Sequence, residues 1–192
     1  FTTMFKIVEM EDSICILPHL FGNELEAAEI ELSKKYANKV IRDVGLIICL
    51  YSVDAIEEGY VYTSQGSCHS KVRFKLISFL PNIGDTITGT VRYATSTSMY
   101  VSLEFFDDII VPSTELRDPS WYNPENQMWC WKYEEGGEQH DLYYATGNPI
   151  RVRVQAVEFT KDKKTSDNSY LPPLIIHASV AEDGLGPPQW WQ

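Results

Sequence analysis

The stretch 84–116 constrains the fold of this chain more than any other part of the sequence. It opens on a turn and an alternating segment that contains Gly89, a residue typical of positions where a barrel strand bends or lets another backbone approach. A second alternating segment follows at 99–103, and Asp107-Asp108 then turns the chain into a short apolar strand at 109–111. Three short strands of this kind predict the first part of a small closed barrel of the OB type.

A segment rich in Trp and Tyr, at 117–144, interrupts this barrel pattern. Trp129 and Trp131 alternate as they would in a strand, and Gly136-Gly137 predicts a hairpin turn that leads into 140–144. We therefore expect an insertion between the third and fourth strands of the barrel.

The remaining barrel strands are predicted at 150–159 and 174–180, on either side of a polar loop at 161–170. Alternation along the fourth strand predicts inward side chains at three positions, Val152, Val154 and Ala156. It predicts outward side chains at Arg151 and Arg153. The segment after the predicted fifth strand contains Trp190-Trp191. Two adjacent tryptophans are expected to be docked on the protein rather than exposed to solvent.

A separate α/β domain is predicted ahead of the barrel. An opening strand begins near Phe5, and a helix follows Asn23, a residue type favoured at helix N-caps. The apolar run 44–51 predicts a strand buried on both faces, with Cys49 as a small core residue. Two further strands flank the loop 63–70, which is either an ordinary hairpin loop or a tip that inserts into a partner.

The short boundary Leu80-Pro81-Asn82 divides the two patterns, so two domains are predicted at 1–81 and 82–192. The predicted fold class is α+β. An N-terminal α/β domain is followed by a five-stranded OB-type β-barrel, with an insertion between its third and fourth strands.

Composition excludes several classes of protein. Hydrophobic residues make up 44% of the 192 residues, which supports packed cores. No apolar run reaches the roughly 18–20 residues of a membrane span, and the first residues lack the basic and apolar regions of a signal peptide. The four cysteines are scattered, with no C-x-x-C pair, which argues against a zinc site and favours a reduced, intracellular protein.

Catalytic motifs are absent from the sequence. It contains no nucleophile elbow, phosphate-binding loop, dinucleotide fingerprint or H-E-x-x-H motif. Asp107-Asp108 suits a turn better than a metal pair, because neighbours on an extended strand point to opposite faces. His140-Asp141 has no evident nucleophile and is interpreted as a surface pair. The sequence therefore predicts no enzyme, no cofactor and no metal.

The charge of the chain limits how it can bind nucleic acid. The formal net charge is −11, and 8 basic against 16 acidic residues from Pro81 onward leave that part at −8. A tight, non-specific nucleic-acid binder normally has a basic surface, so any RNA contact is expected to be local.

The candidate RNA contacts are the outward aromatic and basic residues of the barrel, because OB barrels stack bases on aromatic rings beside cations. These residues are Arg92, Tyr93, Tyr100, Arg151 and Arg153. The alternative is that the two tyrosines only cover apolar surface of the barrel or of the insertion.

Several stretches together resemble one known family. They are FKIVEMED at 5–12, NKVIRDVGLIICLYSV at 38–53, HSKVRFKLISFLP at 69–81, VSLEFFDDIIVP at 101–112, the WCWKYE…HDLYY insertion and GLGPPQWW at 184–191. With the order of an α/β domain and an interrupted barrel, they resemble the larger stalk subunit of archaeal and eukaryotic RNA polymerases. The insertion and the Trp-Trp segment are similar to the RNA polymerase III member.

This resemblance implies a non-catalytic nuclear protein that pairs with a small helical stalk subunit beside the polymerase III core. It also implies contacts with nascent RNA and initiation factors. The first domain would be a tip domain that docks into the core through Phe5, Lys6 and the loop around Gly66. The sequence departs from the family at 63–66, where Thr-Ser-Gln-Gly replaces the expected Pro-Gly-Asp-Gly type of turn. The alternative function is a free-standing OB-type single-stranded RNA-binding protein, such as a translation factor.

Overall fold

The computed structural model describes residues 4–61, 66–135, 138–160 and 171–191. The chain divides into two compact units, Phe1–Leu80 and Pro81–Gln192. The predicted turn at Gly136-Gly137, the polar loop 161–170 and residues 63–65 of the loop before Gly66 lie outside the described residues. In the part of the chain that is described, no helix is long and apolar enough to cross a membrane.

The first unit is an antiparallel sheet with one described α-helix. Its elements are β1 (Phe5–Ile16), α1 (Glu24–Tyr36), β2 (Val40–Ile41), β3 (Gly45–Ile56), β4 (Tyr60–Val61) and β5 (Cys68–Phe79). The strand order is β1-β5-β3-β2, with β4 paired to β5. β1 and β5 pair along their whole length, from Phe5 opposite Phe79 to Ile16 opposite Cys68.

Helix α1 covers one face of this sheet. Its buried residues Ala27, Ala28 and Leu32 pack against a core of sheet residues, namely Ile14, Ile16, Ile47, Val72, Phe74 and Leu76. Asn23 occupies the N-cap position as predicted, but its side chain makes no capping bond. Its amide instead donates to the Glu26 carboxylate at 3.0 Å.

The prediction that the 44–51 run is buried on both faces is wrong. Ile47 points into the core, whereas Cys49 is exposed and Tyr51 is 59% exposed. A continuous apolar run is typical of a strand covered on both sides. In this unit, however, α1 packs on one face of the sheet, and register shifts in the β3–β5 pairing break the simple alternation of β3.

The second unit contains the predicted five-stranded barrel. Its strands are β6 (Thr86–Ala94), β7 (Ser98–Ser102), β8 (Ile109–Pro112), β12 (Pro149–Phe159) and β13 (Leu174–Ser179). They close in the order β12-β13-β8-β7-β6. β13 runs parallel to β8, and the other barrel pairs are antiparallel.

The predicted insertion is confirmed between the third and fourth barrel strands. It is a three-stranded sheet of β9 (Ser120–Asn123), β10 (Met128–Glu135) and β11 (Glu138–Tyr143), with β10 in the centre. β10 and β11 pair antiparallel, as expected of a hairpin. Trp129 and Trp131 are both buried on β10.

The fourth barrel strand differs from its predicted alternation at one position. Val152 and Val154 are buried as expected, but Ala156 is exposed. The register with β13 shifts between Val154 and Ala156, which is a β-bulge. A bulge inserts one extra residue and reverses the inward and outward assignment beyond it.

The predicted docking of Trp190-Trp191 is confirmed. Both belong to a short 3-10 turn, Pro188–Trp191. The Trp190 ring lies edge-on to Tyr144, with centroids 4.7 Å apart. The Arg117 guanidinium lies 4.6 Å from the Trp131 ring and 4.8 Å from the Trp191 ring, so it links the insertion to this turn.

Asp12 ties β1 to the last turn of α1. Its carboxylate accepts hydrogen bonds from Lys35 and Tyr36, and from the Ser13 backbone at 2.8 Å. Partial burial works in the opposite direction, but together these hydrogen bonds lower the pKa of Asp12 below its ordinary 3.8. The folded state therefore favours the ionised carboxylate.

We expect Asp12→Asn to lower the free energy of unfolding by about 1–2 kcal/mol at pH 7. This is less than the roughly 1.5–3 kcal/mol typical of hydrogen bonds to a charged group, because Asp12 and Lys35 are partly exposed to solvent. Because the folded-state pKa is lowered, this stabilisation is complete above the unfolded pKa of about 3.9. It is lost as the pH falls through the folded pKa. The measurement is urea unfolding of both proteins between pH 7 and pH 2.

Glu11→Gln is the matched control, because the Glu11–Lys71 pair on the same strand is exposed on both sides. Its effect should stay below about 1 kcal/mol, as for most exposed ion pairs. An equal effect of the two substitutions, or no dependence on pH, would contradict the role given to Asp12.

Candidate nucleic-acid interface

The β6–β7 hairpin presents a stacked pair of tyrosines. Tyr93 on β6 lies opposite Tyr100 on β7. Their ring centroids are 4.3 Å apart and the ring planes differ by 16°. Tyr93 remains 46% exposed. Partial burial, followed by the neighbouring Tyr100, raises the pKa of Tyr93 above its ordinary 10.0, which further favours the neutral phenol. The pair is a flat aromatic surface of the kind on which bases stack.

A β-bulge puts Arg92 and Tyr93 on the same outer side of the barrel. Thr90 and Arg92 are exposed as alternation requires, and strict alternation would then turn Tyr93 into the barrel. The register shifts between Val91 and Tyr93 instead, so both Arg92 and Tyr93 are exposed and Ala94 is buried. Bulges often re-aim side chains in this way beside functional sites.

Arg92 is held in place by an acidic partner. Its Nη1 lies 2.7 Å from Oδ2 of Asp107, with both side chains about half exposed. Asp107 also accepts a hydrogen bond from the Ser102 hydroxyl at 2.6 Å. The pair orients the guanidinium but neutralises part of its charge. The sequence indicated only a turn at Asp107-Asp108, and nothing in the local pattern links Asp107 to Arg92.

Asp108, next to Asp107 in the segment between β7 and β8, adds a second acidic group near the hairpin. Partial burial raises the pKa of Asp108, and the charge of Asp107 raises it further. The hairpin is therefore an aromatic surface with one oriented cation and two nearby carboxyl groups. Its grip on RNA would come from stacking more than from net positive charge.

The structure places Arg151 and Arg153 away from the tyrosine pair. On β12 they lie opposite Thr88 and Thr86, towards the start of β6. At about 3.3 Å per residue, they lie on the order of 13–20 Å along the strand from Arg92. Arg151 is exposed, whereas Arg153 forms an ion pair with Glu182. Of the five candidate RNA contacts, three come together and two lie apart.

The three candidate docking residues do not form one site either. Phe5 and Lys6 lie opposite Phe79 and Ser78, at one end of the β1–β5 pair. Gly66 comes just before β5, at the end where Ile16 lies opposite Cys68. Twelve-residue strands separate the two ends, which is about 36 Å at 3.3 Å per residue.

The docking positions also differ in their local structure: Phe5 contributes a packed side chain, whereas Gly66 contributes only backbone. Phe5 is 43% exposed and packs against the Phe79 ring, with centroids 5.6 Å apart. Gly66 is exposed, has a φ of +67° and has open space where a side chain would begin. Glycine is therefore favoured at this position for its backbone conformation, because a positive φ strains most other residues. Among the described residues, no group of three His, Cys, Asp or Glu side chains is arranged to hold a metal ion.

Comparisons with known proteins identify the family. The family described as "RNA polymerase III subunit Rpc25" matches residues 85–191, which includes all five barrel strands and the insertion. The chain belongs to this RNA polymerase III subunit family. A second family, described as "SHS2 domain found in N terminus of Rpb7p/Rpc25p/MJ0397", matches residues 11–66 in the first unit.

Relatives of the Rpc25 family extend the match over nearly the whole chain. The chain is 36% identical to DNA-directed RNA polymerase III subunit RPC8 of Bos taurus, with 98% of each chain covered. Identity is 34% to the Schizosaccharomyces pombe protein of the same name, with 98% of this chain and 100% of that one covered. DNA-directed RNA polymerase subunit Rpo7 of Saccharolobus solfataricus is 26% identical over 158 residues.

These relatives confirm the resemblance found in the sequence motifs. All three are named as polymerase subunits, and two as polymerase III subunits. The matches do not support the alternative of a free-standing RNA-binding protein.

We expect Asp107→Asn to strengthen binding of single-stranded RNA. The substitution removes the charge that pairs with Arg92 and keeps a group that can accept the Ser102 hydrogen bond. Exposed ion pairs are worth about 0.2–1 kcal/mol, so the gain should be about 1.5- to 5-fold. Fluorescence anisotropy with a labelled oligonucleotide at fixed salt measures it.

Glu182→Gln is the control, because it frees Arg153 from an equivalent ion pair away from the tyrosines. If only the Glu182 substitution strengthens binding, RNA contacts the barrel at β12 rather than at the β6–β7 hairpin.

Proposed function

We propose that this chain is the larger, non-catalytic subunit of the stalk of a nuclear RNA polymerase III. In this role it pairs with the small helical stalk subunit and joins the polymerase III core. It acts in transcription initiation and contacts nascent RNA and initiation factors. The observation that carries the proposal is the match over 98% of the chain to proteins named as RNA polymerase III subunits.

The β6–β7 hairpin is the proposed contact for nascent RNA, through Arg92, Tyr93 and Tyr100. Arg151 would extend the contact along β12, and Arg153 would add less because Glu182 neutralises its charge. The acidic second domain does not favour tight binding by the isolated protein. A stalk subunit does not need to bind RNA tightly on its own, because the transcribing complex keeps RNA nearby at high effective concentration.

The first domain is the proposed docking domain. Phe5 and Lys6 on one side, and Gly66 on the other, mark opposite ends of the β1–β5 pair. Contact with the polymerase core through these residues would therefore involve two separate patches. Acidic surface elsewhere on the chain would suit basic protein partners.

Co-expression with the small stalk subunit of a polymerase III tests the proposed assembly. We expect a stable one-to-one heterodimer in size-exclusion chromatography with light scattering. We also expect the chain alone to be less soluble or to self-associate, because an assembly subunit leaves apolar surface without its partner. A chain that is monodisperse alone and forms no heterodimer is the opposing result.

The double substitution Arg92→Ala with Tyr100→Ala tests the RNA contact in that heterodimer. Loss of one stacked base costs about 1–3 kcal/mol, so affinity for single-stranded RNA should fall at least about fivefold. Anisotropy titrations at one fixed salt concentration measure it. Lys132→Ala with Tyr133→Ala is the control, since it removes one cation and one ring from β10 of the insertion and should change affinity little. Equal affinities of the Arg92/Tyr100 variant and the unmodified heterodimer would remove the hairpin from the RNA site.

A further inference from the structure

The insertion makes a hydrogen bond to the turn of the β6–β7 hairpin. The Trp129 indole Nε1 donates to the backbone carbonyl of Thr95 at 2.9 Å. Trp129 is 7% exposed and lies on β10, the central strand of the insertion sheet. Its ring packs against Tyr122, with centroids 5.5 Å apart, and its own carbonyl accepts from the Tyr144 backbone at 2.9 Å. The donor is therefore rigidly held.

Thr95 is the residue that closes the turn. Its backbone N–H donates to the Ser98 carbonyl at 2.8 Å, and its hydroxyl accepts from the Ser98 N–H at 3.2 Å. These bonds use the Thr95 amide and side chain within the turn, while the carbonyl points to Trp129. The Thr97 carbonyl accepts from Ser113, just after β8, at 2.9 Å. The turn is thus tied both to the insertion and to the barrel.

The stacked tyrosines lie two residues on either side of this turn, because Tyr93 precedes Thr95 and Tyr100 follows Ser98. On the far side of the bulge, Val91 is tied to the segment before β12. The Gly147 N–H donates to its carbonyl at 2.8 Å, and its own N–H donates to the Asn148 carbonyl at 3.0 Å. The bulge at 92–93 therefore lies between two anchors, Val91 and Thr95.

A bulge disrupts the local ladder of backbone hydrogen bonds. The direction in which its side chains point therefore depends on how the flanking residues are held. We infer that Trp129 is a positioning residue for the proposed RNA contact. Through Thr95 it holds the hairpin so that Tyr93, Tyr100 and Arg92 are ordered before RNA arrives. Ordering a contact surface in advance removes part of the entropy cost of binding. This inference rests on the proposed RNA contact and gives the aromatic insertion a role in it.

The insertion supplies a closely matched control for this residue. Trp131 lies two positions along the same strand and is 8% exposed. Its Nε1 also donates to a backbone carbonyl, that of Asp118, at 3.3 Å. Trp131 contacts Arg117 and Trp190 rather than the hairpin turn. Removing the indole N–H at either position leaves one carbonyl without its donor, but only one of these carbonyls belongs to the hairpin.

The experiment compares Trp129→Phe with Trp131→Phe in the heterodimer. Trp129→Phe should weaken single-stranded RNA binding about 2- to 10-fold, the range of one net hydrogen bond. Trp131→Phe should change it less than about 2-fold, even if it lowers the melting temperature as much or more. Equal RNA affinities of the two variants overturn the inference. If Trp129→Phe does not fold, 3-benzothienylalanine at 129 replaces it, since this residue keeps the shape of tryptophan and lacks the N–H.

A double-mutant comparison separates positioning from general destabilisation. If Trp129 acts through the hairpin, adding Trp129→Phe to the Arg92→Ala, Tyr100→Ala variant should weaken RNA binding little further. Fully additive losses contradict the positioning role.

The same measurements distinguish this inference from the proposed function. If Arg92→Ala with Tyr100→Ala leaves affinity unchanged, the hairpin is not the RNA contact, and the proposed RNA contact and the inference about Trp129 fail together. The proposed stalk assembly is tested separately by co-expression. If that variant weakens binding and Trp129→Phe behaves like Trp131→Phe, the RNA contact stands and the inference about Trp129 alone is overturned.

Discussion

Closure of the barrel depends on the missing side chain at Gly89. A Cβ at this position would lie 2.7 Å from the Ser102 carbonyl oxygen and 2.7 Å from a methyl group of Val101, so a larger residue would push β6 away from β7. β6 pairs with β7 on one side and with β12 on the other. The same two strands form the hairpin that carries Arg92 and the two tyrosines, and the insertion contacts the turn of this hairpin through Trp129.

Charge and architecture together explain how such a barrel can serve a polymerase. The second half of the chain has a net charge of −8, and on the hairpin itself Arg92 is paired with Asp107. These charges do not favour binding of free RNA from solution. They suit the proposed RNA contact, in which the polymerase complex would keep RNA nearby and stacking on the tyrosine pair would supply the affinity.

The sequence predicted most of the architecture and part of the candidate site. Strand alternation and turn residues located the barrel strands, and the Trp-rich segment indicated the insertion. Tyr93 was expected to face outward and does so, although strict alternation alone would have turned it inward. The error at Ala156 has its origin in strand pairing. The bulges beside Val91 and Val154 arise from the pairing of distant strands, so local alternation could not show that Ala156 would be exposed. Cys49 was misplaced because a run of apolar residues does not show how many faces of a sheet are covered.

The sequence by itself determined the two-part order of the chain, the barrel with its interruption, and the family to which it belongs. These depend on local patterns and on motifs that stay recognisable along the chain. Only the tertiary structure decided which of the predicted residues meet. It joined Arg92 to Asp107 and Trp129 to Thr95, 15 and 34 residues apart, and it separated Phe5 from Gly66 by the length of a sheet. Contacts between distant residues follow from strand register and barrel closure, and neither can be deduced from one segment of the sequence alone.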